Sequence, residues 1–303
     1  ASSSFEHNMN TIDCVIPQLS INTLLYFIRC ISMKKFFLAF AAFLLVTNSF
    51  AWDQRAPLPP QACQPHIPYC FAQTTIPVAP ICREAYLVAY DAPVKIPAYV
   101  AYTLQPANAL GCYPRTNAFV ADQSVPNGAT PSDYVGTGYD KGHAAPDGDL
   151  SWSQQVEYES FLMTNMYPQH GSLNRGIWKL LETSVRGWAV QTNQSYTIYV
   201  GAMYGTGNES FKGIVVPHGY YKIVINNSTG QVAGWAFPHT KPYQNLGNDL
   251  TKFRVPVAQI QQQAGVQYKF PANARELAPG QEWSVDFGAL TNAKRAKCGR
   301  SDD

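Results

Sequence analysis

The chain is 303 residues long, with 22 basic and 20 acidic side chains, a formal net charge of +2 and 46% hydrophobic residues. This balance excludes a strongly basic nucleic-acid coat, so any polyanionic partner must be held by a local patch and a metal, and released readily by salt. The length suffices to bury a sizeable core.

The N-terminal stretch reads as targeting sequence rather than fold. Met33-Lys34-Lys35 precedes an apolar run from Phe36 to Val46 and then Ser49-Phe50-Ala51, the layout of a secretory signal peptide. The run is too short to span a bilayer as a helix. Residues 1–32 are then upstream sequence, Met33 to Ala51 the signal, and 52–303 the exported chain, 303 − 51 = 252 residues, with no membrane segment of its own. Three basic and two acidic residues precede Trp52, so the exported chain carries 19 − 18 = +1.

Setting Cys14 and Cys30 aside leaves Cys63, Cys70, Cys82, Cys112 and Cys298. In an exported chain these read first as disulfides. Spacing suggests Cys63–Cys70 and Cys82–Cys112 with Cys298 left over, although sequence does not fix connectivity. No CxxC pair or clustered Cys/His spacing supports a zinc site.

In chain order, the proline-rich segment 52–82 is expected to be an irregular, cross-linked arm, with a single domain at 83–303. Arg83–Tyr90 and Tyr99–Leu104 are aromatic and β-branched runs that predict the first pair of strands. Gly111–Gly138, rich in Gly, Pro, Ser, Thr and Asn, predicts a long functional loop containing Arg115. Ser151–Met163 predicts a serine-capped helix, and Leu173–Val190 a second helix behind Ser172. Tyr196–Tyr204, Tyr220–Asn226 and Val232–Phe237 predict further strands, Val257–Ala264 a short helix stopped by Gly265, and Lys294–Arg300 a basic tail around Cys298. The class expected is α+β, with a central antiparallel sheet and flanking helices.

The chemistry concentrates between Tyr139 and Arg186. At about 100° per residue, Asn174, Trp178, Glu182 and Arg186 stay close to one side of a helix, so one element presents an amide, a carboxylate and a guanidinium. His143, whose unperturbed pKa is about 6.5, is suited to take a proton from water. Taken singly each has a blander reading: a surface histidine, turn asparagines at 165 and 174, and a Glu182–Arg186 surface pair contributing about 0.3–0.5 kcal/mol. Asp147-Gly148-Asp149 begins like a calcium loop, but Trp152 and Tyr158 occupy positions that an EF-hand reserves for glycine and glutamate.

The ordered set resembles the DNA/RNA non-specific endonucleases, a ββα-metal family. Its boxes stand here as Asp140-Lys141-Gly142-His143-Ala144-Ala145-Pro146, Asn165-Met166-Tyr167-Pro168-Gln169, and Leu173-Asn174-Arg175-Gly176-Ile177-Trp178 followed by Glu182. The likeness extends over roughly Arg83 to Tyr268. It implies a ββα-metal motif on the sheet and an Mg2+-dependent endonuclease, with Mn2+ as a substitute, acting on DNA and RNA. His143 would be the general base, Asn174 the direct metal ligand and Asn165 the residue orienting the site or the attacking water. Glu182 would hold metal-bound waters, and Arg186 and Arg115 would stabilise phosphoryl charge. Two departures stand out: Lys141 where the family has arginine, which loses the bidentate fork, and Gln261 where glutamate is usual in a late helix. Alternatives are a nucleic-acid binder without cleavage and a phosphodiesterase on smaller substrates. A homodimer and an inhibitor protein remain compatible with the sequence.

Overall fold

In the computed structural model, the first aromatic runs form strands β1 (Ala79–Cys82), β2 (Tyr86–Asp91) and β3 (Ile96–Leu104). The structure describes residues 56–69 and 71–300, all within the one unit formed from Gln54 onward. Cys70 and the expected signal, Met33 to Ala51, lie outside the described residues. Strand β3 begins earlier than its β-branched run predicts. Pro97 is accommodated because it faces the register shift at Ala89/Tyr90, where the ladder is already interrupted.

The arm is more ordered than its prolines suggest. A 3-10 turn, Pro60–His66, is tied by Cys63–Cys82 to β1, with the Cα atoms 5.6 Å apart. The second disulfide joins Cys112 to Cys298. Both pairings suggested by spacing are therefore corrected: Cys63 bonds Cys82, not Cys70, and Cys112 bonds Cys298, not Cys82. Spacing reports only the ease of loop closure, whereas sheet pairing of β1 and the return of the C-terminal helix decide which thiols meet.

Strands β4 (Tyr139–His143) and β5 (Met166–His170) form a separate antiparallel ladder, from Tyr139↔His170 to His143↔Met166. Between them α1 spans Gln154–Ser160, capped by Ser153 Oγ, which accepts the Val156 N–H at 3.2 Å. It is shorter than the predicted 151–163 because the Asn165 side-chain amide takes the Ser160 carbonyl at 2.8 Å and closes the helix there. The predicted 173–190 helix is also interrupted. Leu173–Trp178 is a wide irregular turn broken at Gly176 (φ −101°, ψ −121°), and regular helix α2 runs Lys179–Thr192.

Strands β6 (Tyr196–Met203), β7 (Gly219–Asn226) and β8 (Gln231–Pro238) follow, then α3 (Val257–Ala264), the short β9 (Arg275–Glu276) and α4 (Phe287–Cys298). The seven-stranded sheet has the order β9–β8–β7–β6–β3–β2–β1, antiparallel except for β8–β9. Both faces are covered. One packs against the helical layer through Ile177, Trp178, Leu181, Val185 and Trp188; the other packs against the arm and α3 through Ile67, Tyr199, Tyr221, Ile260 and Tyr268. The mixed α+β architecture is thus as expected, and no helix among the described residues is long and apolar enough to cross a membrane.

Candidate active site

The β4–β5 ladder carries His143 to the edge of a cavity of about 220 Å³, whose lining includes Arg115, Lys141, His143, Asn174, Glu182 and Arg186. Gly142 is required beside His143 by close approach, since a Cβ there would lie 2.1 Å from Gln169 Oε1 on the paired strand. The imidazole packs against Phe161 (ring centroids 5.0 Å) and Phe119 (5.7 Å), and its Nε2 is buried without a hydrogen-bond partner. Burial, then the positive charges of Arg115 and Lys222, hold its pKa well below the ordinary 6.5. The ring is therefore neutral near pH 7, with a basic nitrogen to offer.

Asn174 precedes the break at Gly176. Its Nδ2 donates to Asp140 Oδ2 at 3.0 Å, which leaves the amide oxygen as the atom able to meet a ligand. Asp140 also pairs with the exposed Arg175 at 3.1 Å. Across the cavity, α2 presents Glu182 and Arg186. Glu182 Oε1 lies 3.5 Å from the Lys222 ammonium, at ion-pair rather than hydrogen-bond distance. Burial raises the Glu182 pKa, against the lowering by Lys222 and Arg186. Burial likewise lowers that of Lys222, whose Nζ donates to the Ala144 carbonyl at 3.1 Å, directly behind His143. Arg186 is bonded to Asp149 at 2.9 Å and to Thr183 at 3.1 Å.

Arg115 is far less buried. Its guanidinium pairs with Asp147 at 3.1 Å, bonds Asn117 at 2.8 Å and lies 5.0 Å from the Phe161 ring centroid. Asn165 does not line the cavity. Fully buried, it receives the Ala145 N–H at 3.0 Å and donates to the Ala145 and Ser160 carbonyls, both at 2.8 Å. It clamps the backbone that follows His143. Gln261, the remote departure, accepts the Tyr268 N–H at 2.7 Å and serves the far face of the sheet.

The site thus unites His143, Asn174, Glu182, Arg186 and Arg115 and places Asn165 behind them. Sequence reasoning missed Asp140, Lys222, Asp147 and Asp149 as members. A lysine inside the otherwise apolar run Tyr220–Ile225 was one available signal, and the two aspartates dismissed as a calcium loop were another. The donor set suits a hard cation that keeps most of its waters: one uncommitted amide oxygen, with a carboxylate oxygen lacking a hydrogen bond across the cavity. Among the described residues, no cluster of three His, Cys, Asp or Glu side chains could hold a metal by itself.

Comparison with known proteins places the chain by sequence and by fold. Residues 67–276 match the family described as DNA/RNA non-specific endonuclease. The chain belongs to this family. It is 30% identical over 216 residues to a nuclease of Nostoc sp., covering 67% of this chain and 76% of that one. With the mitochondrial endonuclease G of Homo sapiens it shares 27% over 202 residues, 61% of this chain and 67% of the relative. A match to the mitochondrial nuclease 1 of Schizosaccharomyces pombe, at 28% over 212 residues, involves 61% of this chain and spans 64% of that protein's length. The fold is shared with a chain in the solved structure "Crystal structure of the EndoG/EndoGI complex: Mechanism of EndoG inhibition", with TM-score 0.60, 23% identity, and coverage of 69% of this chain and 91% of that one.

Proposed function

We propose that this protein is an exported, Mg2+-dependent endonuclease that hydrolyses phosphodiester bonds of DNA and RNA with little sequence preference. The observation that carries the reading is the buried, neutral His143 with Nε2 unpartnered, on a cavity shared with the Asn174 amide and Glu182. A binding protein needs phosphate-holding cations but has no use for an uncharged base of this kind.

His143 Nε2 takes a proton from the attacking water. Asn174 and Glu182 are the residues that would hold the cation, Asn174 through its amide oxygen and Glu182 through intervening waters. When bound, the cation neutralises phosphoryl charge and eases departure of the leaving oxygen. Arg115 and Arg186 add positive charge at the phosphate, Arg186 from a fixed position set by Asp149 and Arg115 from the more open wall. Asn165 and Lys222 act through the backbone at Ala144 and Ala145, keeping the imidazole in place. Low specificity follows because phosphate contacts position a strand without reading its bases. Export is supported by the two disulfides, which belong in an oxidising compartment.

Digestion of supercoiled plasmid and ribosomal RNA, with magnesium or EDTA, tests the reading. Both substrates should disappear only with the metal, and His143→Ala should slow cleavage by about 10²–10⁴-fold. Intact substrates in a retarded gel band would replace the endonuclease by a binder.

A further inference from the structure

A larger cavity, of about 430 Å³, opens at the other end of the β4–β5 ladder. Its lining includes Tyr139, His170, Glu209, Phe211, Lys241 and Tyr243, none of which belongs to the site described above. The two cavities lie along one face. Tyr139, Lys141 and His143 are alternate residues of β4, so their side chains point to the same side of the ladder. His143 and Lys141 line the main cavity, Tyr139 lines the larger one, and His170 is the direct partner of Tyr139 on β5. At about 3.3 Å per residue, Tyr139 is about 13 Å along the strand from His143. A few nucleotides cover that distance.

The larger cavity is lined by aromatic rings that are already ordered. Tyr139 is stacked on Phe211 with centroids 5.7 Å apart and planes 12° apart, and His170 on Tyr243 at 4.4 Å and 14°. The Tyr139 and Tyr243 hydroxyls meet at 2.6 Å and join the two stacks. All four rings belong to half-buried residues, so part of their surface faces the hollow. The charges there balance: Glu209 Oε1 lies 2.8 Å from Lys241 Nζ, and Glu209 Oε2 accepts the Tyr139 hydroxyl at 3.0 Å. A balanced hollow has little to offer a phosphate. A flat, neutral heteroaromatic group gains more, because its faces meet rings and its polar edge meets the exposed Glu209–Lys241 pair.

We propose that this hollow is a nucleobase subsite, in which a base of the bound strand, a few nucleotides from the phosphate at His143, lies against the Tyr139–Phe211 and His170–Tyr243 stacks. The proposal rests on reading the main cavity as a phosphodiester site. Because every base has a π-face, the subsite adds affinity without demanding a sequence. It favours single strands, since a base in a duplex must first be unstacked and unpaired to enter.

The test compares two single-stranded DNA oligonucleotides of equal length, one carrying all its bases and one abasic throughout. Each is bound, with magnesium, to a His143→Ala parent, and the strands are checked to be intact. Tyr243→Ala in that parent should weaken binding of the base-bearing strand by about 5- to 150-fold, the effect of losing one base–aromatic stack. Binding of the abasic strand should stay at the parent level. Tyr243→Phe, which keeps the ring, should keep the parent affinity for both strands. Phe211→Ala cuts the other stack and should repeat the base-dependent loss, including where Tyr243→Ala does not fold. Parent affinity for the base-bearing strand in the alanine variants, or an equal loss on the abasic strand, would overturn the subsite. Cleavage does not enter the readout. A base-dependent loss in a protein whose unmutated form leaves plasmid intact would sink the endonuclease reading alone. Plasmid cleavage by the unmutated form without a base-dependent loss would sink the subsite alone.

Discussion

On the arm-and-α3 face of the sheet the core is built from tyrosine and aliphatic side chains. Tyr199 stacks on Tyr268 with ring centroids 4.2 Å apart, and the hydroxyls of Tyr221 and Tyr268 meet at 2.7 Å. On the helical face, the same sheet buries ionic groups: Lys222 beside Glu182, Arg186 on Asp149, and Arg83 on Asp122 at 2.6 Å. Strand β7 shows the division in a single run. Tyr221, Ile223 and Ile225 point to the first face, and Tyr220, Lys222 and Val224 to the second, as strand alternation requires. Buried ion pairs are poor stabilisers compared with well-packed apolar groups, because desolvation offsets most of their attraction. Placing Lys222 and Glu182 where leucine and methionine would pack therefore trades stability for a charged wall behind His143.

The comparison can be broken first on the helical face. Lys222→Met leaves the Glu182 carboxylate buried without its cation, and this should cost about 3–5 kcal/mol in urea unfolding. Adding Glu182→Gln should return part of that stability while cleavage stays low. If Lys222→Met were as stable as the parent, the pair would be solvated and the argument for a charged wall would fail. On the other face, the disulfide Cys63–Cys82 closes a short loop of 19 residues. Its replacement by two serines should cost about 3 kcal/mol by chain entropy. Cleavage per folded molecule should be unchanged, because this bond serves only the far core. A fall in turnover in that variant, at a temperature where it is fully folded, would show that the faces are coupled.

This division also explains what could be read in advance. Five of the seven sheet strands were legible because aromatic and β-branched runs need no partner to declare themselves; β1, inside the proline-rich arm, and the two-residue β9 were not. His143 and Asn174 were legible because they sit in the ordered boxes, and Glu182 and Arg186 because they follow the third box at helical spacing. The break at Gly176 was hidden: the apolar period runs through it, while the backbone turns so that Asn174 reaches Asp140 from a separate element. The Cys112–Cys298 bond and the Lys222–Glu182 and Asp149–Arg186 pairs were hidden because each joins segments distant in sequence, and Cys63–Cys82, only 19 residues apart, because the pairing of β1 in the sheet rather than spacing decides it. Periodicity carries no information about which distant segments will meet.

The mildest expected effect belongs to His239, just beyond β8 at the end of the β4–β5 ladder remote from His143. Its Nε2 accepts the His170 N–H at 2.8 Å and its Nδ1 faces the Pro217 carbonyl at 3.1 Å, so the neutral Nδ1–H tautomer satisfies both contacts. Burial first, with minor repulsion from His170 and His218, lowers its pKa to about 4 from 6.5. The folded state thus refuses a proton that the unfolded chain accepts. Stability from this group is complete above the unfolded value of 6.5 and is lost as pH falls from there toward 4, below which both states are protonated. Between about pH 7 and about pH 5.5 the loss should be about 1 kcal/mol by linkage. His239→Gln offers an uncharged donor and acceptor at all pH values, so urea unfolding of this variant should lack that increment. If the variant keeps the parent's full dependence over this window, His239 is already hydrated in the native state, and the end of the ladder is more open than its hydrogen bonds imply.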